Sequence, residues 1–431
     1  MRTISCGLRT ARGRPERKLG LFLALAFGAA IIGRGAGAED ALPGASLDSV
    51  LSVARRLSPE LAARALEVEA AQARVEIAGS WNDPTLRITS DEIDRTGGPR
   101  QNKMIYSIEQ DIPLWGKRDL KRDTARAEVN RMKADSRTAE TELIEKVKVA
   151  FAQYYQADQT IRATRELHAV VHDIAKLARE RYGQNRGSQQ AVFKADVESS
   201  RVETEIARQE AALRSAKGRL NALLARPIDA PLAGPAKLRP LPAPELLAPA
   251  PLLERARTAN PGLQATTAAI AGAQSSRDLA EKSWYPDITV SAGAIDRTGN
   301  GPNGYTAMIG LKVPLQFGLH HAQEREARAQ LGAARARREV LDQQIEGDIA
   351  EAAASLSASR RTADLIKTQL LPKNEALVRS GTAAYAVGKA ELTDVLMAEH
   401  DLADLRIQLL SAEFDSQRQL AAIERLIGDD L

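Results

Sequence analysis

Residues Pro84–Arg118 read PTLRITSDEIDRTGGPRQNKMIYSIEQDIPLWGKR, and residues Pro286–His321 read PDITVSAGAIDRTGNGPNGYTAMIGLKVPLQFGLHH. Both contain Ile-Asp-Arg-Thr-Gly, at Ile93 to Gly97 and at Ile295 to Gly299, 202 residues apart. The same offset of 202 pairs Pro84 with Pro286, Gly116 with Gly318, and Ser58-Pro59-Glu60-Leu61 with Asn260-Pro261-Gly262-Leu263. The chain is therefore an internal duplication, and the repeated unit has to be recognised before a fold is assigned.

Each echo reads as two strands around a polar loop. In the second copy Ile288, Val290, Ala292 and Ala294 alternate with Thr289, Ser291 and Gly293, and Tyr305, Ala307, Ile309, Leu311 and Val313 share a face on the return. In the first copy Leu86 and Ile88, then Met104, Tyr106, Ile108 and Ile112, share a face, with Glu109 and Asp111 on the other. Period two with one apolar face is a strand signal. Each strand is about ten residues, the length a tilted strand needs to cross a bilayer. A soluble hairpin packing its apolar face on a core would show the same alternation; the helices around the hairpins favour the membrane reading.

Outward from the hairpins the chain is helical. Leu47 to Ser80 is predicted as one helix, with Ser46 at its N-cap and Pro59 as a kink. Lys117 to Tyr182 is charged and free of Pro and Gly, so it predicts about 100 Å of helix. Within it Leu143, Val147, Ala150, Tyr154, Ala157 and Ile161 step as a coiled-coil seam, and Leu167, Val170, Ile174 and Leu177 mark a second one. Two seams on one helix call for neighbours on both sides, as in a layer or cylinder. A turn at Gly183 to Gly187 sends the chain back along a helix from Ser188 to Leu224. Prolines 227, 231, 235, 240, 242, 244, 249 and 251 then define a linker, residues 227–251, that excludes helix interior. The second copy repeats the order, with a helix over Leu252 to Ser283, the hairpin, a long helix over Leu319 to Arg379, a turn at Gly381 to Gly388 and a last helix over Ala390 to Ile427. The domains are thus a first repeat over residues 39–226 with its hairpin at 84–113, the linker, and a second repeat over 252–431 with its hairpin at 286–314.

Residues 1–38 read as a secretory signal peptide, with a basic start, an apolar run from Leu19 to Ile32, and Ala36-Gly37-Ala38 as a cleavage site after Ala38. A membrane anchor is the alternative, but the run is short of the ~20 residues a helical span needs. Without these residues 53 basic side chains face 55 acidic ones, and the only cysteine, Cys6, is gone. That leaves no basic domain to suggest nucleic acid as a partner, no disulfide and no thiolate metal ligand. Aromatic residues are only 4% of the chain, which suits closely packed helices better than a bulky core. Four strands cannot close a barrel, and lipid tolerates no open sheet edge, so strands in a membrane require several chains to share one barrel.

Taken together, this order of elements resembles the outer-membrane efflux protein, or TolC-like, family over essentially the whole chain after the leader. The resemblance is carried by the duplication, by the strand exits Ile112-Pro113-Leu114-Trp115-Gly116-Lys117-Arg118 and Val313-Pro314-Leu315-Gln316-Phe317-Gly318, and by Tyr385, Gly388 and Asp394-Val395-Leu396 with Ala398 after the second long helix. The exit Gln110 to Arg118 is most similar to the heavy-metal branch, the cobalt-zinc-cadmium and copper-silver efflux components. The resemblance implies a mixed membrane α/β fold: a homotrimer whose four strands per chain make a twelve-stranded β-barrel in outer-membrane lipid, continued by a periplasmic α-helical barrel. It implies a periplasmic adaptor and an inner-membrane pump of the resistance-nodulation-division (RND) class as partners. The residues themselves offer no Ser-His-Asp set, P-loop or glycine-rich nucleotide loop, so no cofactor, no metal site and no enzymatic chemistry are expected.

At the tunnel tip the resemblance places Asp394 in an acidic ring, with Tyr385 as a brace and the turn glycines Gly183, Gly187, Gly381 and Gly388 as mobile parts. Met397 and Ala390 stand where the family has an acid and a base, and Ala191 matches Asp394 in the first copy, so the ring is thin and the halves unequal. The alternatives are that Asp394 simply faces solvent on a helix and that Tyr385 is plain packing. His168 and His172 stand four apart on a helix, a spacing that can hold one metal ion, but are read as two surface histidines; His320 and His321 are adjacent and face different ways, and neither pair is assigned as a ligand site. The competing functions are the same duct serving drug efflux or type I secretion, and a soluble periplasmic coiled-coil scaffold or adaptor.

Overall fold

The protein is represented by a computed structural model that describes residues 42–91, 103–297 and 302–431. The expected signal peptide with Ala38, the Ile93 to Gly97 echo and the end of its partner lie outside the described residues.

The first repeat begins with α1 (Leu47–Leu57) and α2 (Pro59–Gly79), where a single kinked helix was expected. Ser58 makes the break complete. Its N–H closes α1 on the Ala54 carbonyl at 3.0 Å, and its hydroxyl accepts from the Leu61 N–H to cap α2. Pro59 follows at N1, where a missing N–H costs nothing. The second repeat makes the same break with a different side chain: Asn260 separates α5 (Pro249–Ala259) from α6 (Pro261–Lys282) and accepts from the Leu263 N–H at 3.0 Å. The expected helix from Leu252 to Ser283 is therefore also two helices. Pro249 and Pro251 belong to the first turn of α5 and not to the linker, again because the first helical N–H groups need no partner.

Strands β1 (Thr85–Asp91), β2 (Lys103–Ile112), β3 (Asp287–Arg297) and β4 (Gly304–Lys312) form one antiparallel sheet in the order β1-β2-β3-β4. The two hairpins are joined by a ten-residue register between β2 and β3, from Lys103 against Arg297 to Ile112 against Ile288. In this register Leu86, Ile108, Ala292 and Ala307 line up across all four strands, as do Ile88, Tyr106, Ala294 and Tyr305. That apolar face is the exposed one: Leu86 is 67%, Ile309 78% and Tyr305 93% accessible. The opposite face carries Ser107 and Ser291, both buried, with Arg87 paired to Glu109 at 2.7 Å and Asp111 accepting from Thr289 at 2.6 Å. A soluble hairpin would bury the first face and expose the second. Gly293 sits where the strands press closest, since a Cβ there would lie 2.4 Å from the Tyr106 carbonyl oxygen.

From the sheet the chain enters α3 (Lys117–Gly183), an unbroken helix of 67 residues, about 100 Å long. Leu143, Val147, Ala150, Tyr154 and Ile161 are buried along its first seam. Its second seam is displaced from the predicted one. Val171, Ile174, Ala175 and Ala178 are buried, while Val170 is exposed and Leu177 only half-buried. A straight helix drifts about 20° per heptad against a 3.5-residue repeat, so the buried stripe walks round by one position. Helix α4 (Gln189–Leu223), capped by Ser188, returns along α3.

In the second repeat α7 (Phe317–Leu365), a π-turn (Ile366–Leu370) and α8 (Leu371–Ala386) follow one another without a gap. The expected helix ending at Arg379 thus runs on to Ala386, and Gly381 is a helical residue and not part of the turn. The π-turn lies just before Pro372, which has no N–H to donate; the Leu371 N–H reaches back to the Ile366 carbonyl. Helix α9 (Leu392–Ile427) closes the chain.

The linker is strapped down. Tyr154 Oη donates to the Ala233 carbonyl at 3.0 Å, and Asn221 Nδ2 donates to the carbonyls of Ile228 and Ala230. Arg239 makes two hydrogen bonds to the Glu424 carboxylate, at 2.6 and 2.7 Å. Three clusters of buried apolar residues stand out, one within each repeat beside the linker and one, from Val171 to Leu396, at the helix ends.

Candidate functional site

Two regions carry the chemistry: the boundary between sheet and helices, and the far tip. All three tryptophans, Trp81, Trp115 and Trp284, stand at that boundary. Trp115 packs on Tyr285 with ring centroids 5.2 Å apart and donates from Nε1 to the Pro286 carbonyl at 2.8 Å. Trp284 packs against Phe317, His320 and His321 and donates to Glu324 at 2.7 Å. Arg118 lies over the Trp81 ring at 4.6 Å. Lys117 holds the crossing from strand to helix, bonding the Tyr285 carbonyl at 2.7 Å and Asp287 at 2.9 Å.

Rings with one apolar and one polar side belong at a membrane–water interface. Tyr106 and Tyr305 share a row near the other end of the strands. About nine residues of tilted strand separate that row from Tyr285, an apolar band of about 25 Å, the height of an outer-membrane barrel wall. The histidines read as surface residues are placed apart: His320 Nδ1 meets Ser283 Oγ at 2.9 Å within the aromatic belt, while His168 and His172 lie on α3.

At the tip α3, α4, α8 and α9 converge. Tyr385 is buried with Val171, Ile174, Leu392 and Val395. The Arg181 guanidinium stacks 4.6 Å above its ring and donates to its backbone carbonyl. Burial pushes the Tyr385 phenol up, against the opposing pull of Arg181. Arg181 also donates to the Arg186 carbonyl at 3.2 Å, so one side chain ties the turn after α3 to the end of α8. Its importance was not readable in the sequence, where it is one of 60 Lys and Arg; only its place in the last turn of α3 hinted at it.

Lys194 donates to Thr393 at 3.2 Å, and His400 meets Glu198 at 2.6 Å, fastening α4 to α9. Glu399 is buried beside them, and burial raises its carboxyl above the usual range, with Arg406 opposing. Asp394 is exposed in the first turn of α9. The structure therefore brings Tyr385 into a packed contact and leaves Asp394 free of one. Gly183 ends α3, Gly187 lies in the turn, and Gly388 has φ +79°, a left-handed value that favours glycine. Phe193, Val197 and Met397 are exposed beside an open groove of about 700 Å³ between α4 and α9.

A sheet with a lipid-type outer face, a polar inner face and two free edges, set on helices of about 100 Å, defines one class of protein, the outer-membrane channel with a helical periplasmic extension. Comparison with known proteins agrees. Residues 50–226 and 252–429 match the outer membrane efflux protein family, and the chain belongs to that family. It is 27% identical over 395 residues to the cobalt-zinc-cadmium resistance protein CzcC of Cupriavidus metallidurans, covering 89% of this chain and 90% of that one. It is also 27% identical to the outer membrane efflux protein BepC of Brucella suis, over 83% of this chain and 78% of that one. The outer membrane protein VceC of Vibrio cholerae has a similar fold, with a TM-score of 0.76 at 19% identity, covering 89% and 96% of the two chains. The expected fold class holds: each chain supplies four strands to a shared barrel in the outer membrane, and its helices extend into the periplasm.

Proposed function

We propose that three copies of this chain form a passive exit duct for heavy-metal cations, delivered by an RND-type pump through a periplasmic adaptor. The observation that carries the duct is the sheet, apolar outside, polar inside and open at β1 and β4, which only further copies can complete in lipid. The cation class is supported by the strand exit from Gln110 to Arg118 and by the name of the CzcC relative. Asp394 of each chain would add negative potential at the tip, and Tyr385 with Arg181 would hold the tip closed. Contact of the adaptor with the exposed Phe193, Val197 and Met397 would loosen it. No bond is made or broken, and substrate choice lies with the pump.

Growth of a deletion strain on cobalt, zinc, cadmium, copper and silver salts tests this reading. Sensitivity to at least one of them, restored by the gene, is the expected result. Unchanged metal tolerance with sensitivity to organic toxicants would make the chain a drug-efflux duct.

A further inference from the structure

Among the described residues no three His, Cys, Asp or Glu side chains are gathered as a finished metal site. One set comes within a side-chain rotation of it. His168 Nε2 on α3 is shut off from water and has no hydrogen-bond partner. Glu203 Oε1 on α4 is 3.5 Å away, too far for a good hydrogen bond. His172, one turn further along α3, holds its ring centroid 6.4 Å from that of His168. Both His172 and Glu203 are exposed.

These distances fit a small cation better than they fit a contact between the side chains themselves. Zinc binds imidazole nitrogen and carboxylate oxygen at about 2.0–2.2 Å, so two tetrahedral ligands stand about 3.4 Å apart. The separation of His168 from Glu203 is already of that size. Two imidazoles on one tetrahedral ion have centroids about 5.2 Å apart. The His172 ring therefore has to close by about 1 Å, a rotation that its exposure permits. Histidines at i and i+4 lie on one helix face, where such a pair can converge. A buried nitrogen without a partner is rare enough in a folded protein to call for an occupant.

We propose that His168, His172 and Glu203 bind one borderline divalent cation, of the zinc, cobalt, nickel or copper class, and so clamp α3 to α4. Two nitrogens and one carboxylate oxygen favour such ions over magnesium or calcium. The clamp would lie about 17 to 22 Å along α3 from the tip turn and would stiffen the helix pair that carries Arg181 and Lys194. It holds whatever the duct exports.

Calorimetric titration of zinc chloride into the assembled protein in detergent tests the assignment, with magnesium chloride as control. One zinc ion per chain is expected, with no matching uptake of magnesium. His172→Gln and Glu203→Gln change exposed side chains and leave the assembly intact; the first should weaken zinc binding at least tenfold and the second measurably. A His320→Gln, His321→Gln double variant should bind as the parent does. No stoichiometric zinc uptake by the parent would overturn the proposal. Undiminished binding by His172→Gln would overturn it equally, by placing the ion elsewhere.

Discussion

Asp394 shows what a single residue contributes and what it needs from its surroundings. It stands exposed at the third position of α9, where a carboxylate also suits the positive end of the helix. One such charge on a helix surface does little, but three around a common axis would concentrate negative potential in a narrow opening. Asp394→Ala should therefore lower cation preference in single-channel recordings by several-fold, with the amount of assembled protein unchanged. Unaltered selectivity would remove Asp394 from the gate. Its neighbours obey a different logic. Tyr385 was singled out from the sequence, yet its partner Arg181 is 204 residues away in the chain, and no local pattern joins the two. Ser58 and Asn260 are the opposite case: each caps the next helix through a side chain three residues upstream of its donor, which a sequence can display.

At the scale of elements, the two repeats differ in one helix. Helix α3 runs 67 residues without interruption, whereas its counterpart is divided by the π-turn at Ile366–Leu370. The division has a local cause, because an imino acid at 372 cannot complete the hydrogen-bond ladder. A π-turn is a place where a helix can re-aim, and it lies between the body of α7 and the tip segment that holds Tyr385. Pro372→Ala should let the ladder close, raise the melting temperature by a few degrees, and reduce the frequency of channel opening. Opening at the parental rate would show that the tip moves without this turn. The sheet makes a second point at this scale. Each hairpin was visible as an alternation, but the pairing of β2 with β3 joins segments 185 or so residues apart and needed the folded chain to appear.

For the whole molecule, the linker adds to the β2–β3 pairing and the packing of α3 on α6 and α9 in tying the repeats together. Arg239 from the linker, Lys148 from α3 and Asp430 near the chain end gather around Glu424, which is almost fully buried. Gln417 adds a bond from its amide to the Arg239 carbonyl at 2.8 Å. Burial pushes the Asp430 carboxyl up, but Lys148 and then Arg239 hold it below the ordinary range. Removing one member of a buried ionic group strands the rest, at a cost of about 3 kcal/mol. Arg239→Ala should therefore lower the melting temperature of the assembled protein clearly, while leaving the sheet in detergent intact. A melting curve superimposable on the parent's would show the linker to be a passive connection.

The duplication, the two alternating ribbons and the long uninterrupted helix could all be read from the residues alone, because each is a periodicity or repeat written along the chain. From these it also followed that one chain could not complete its own barrel, since four strands leave two edges unpaired. Which face of the ribbons is bare, where the second seam of α3 falls, and which side chains meet at the tip emerged from the folded chain. Those outcomes depend on contacts between positions about two hundred residues apart, whose pairing follows from packing and register and is not written in any local pattern.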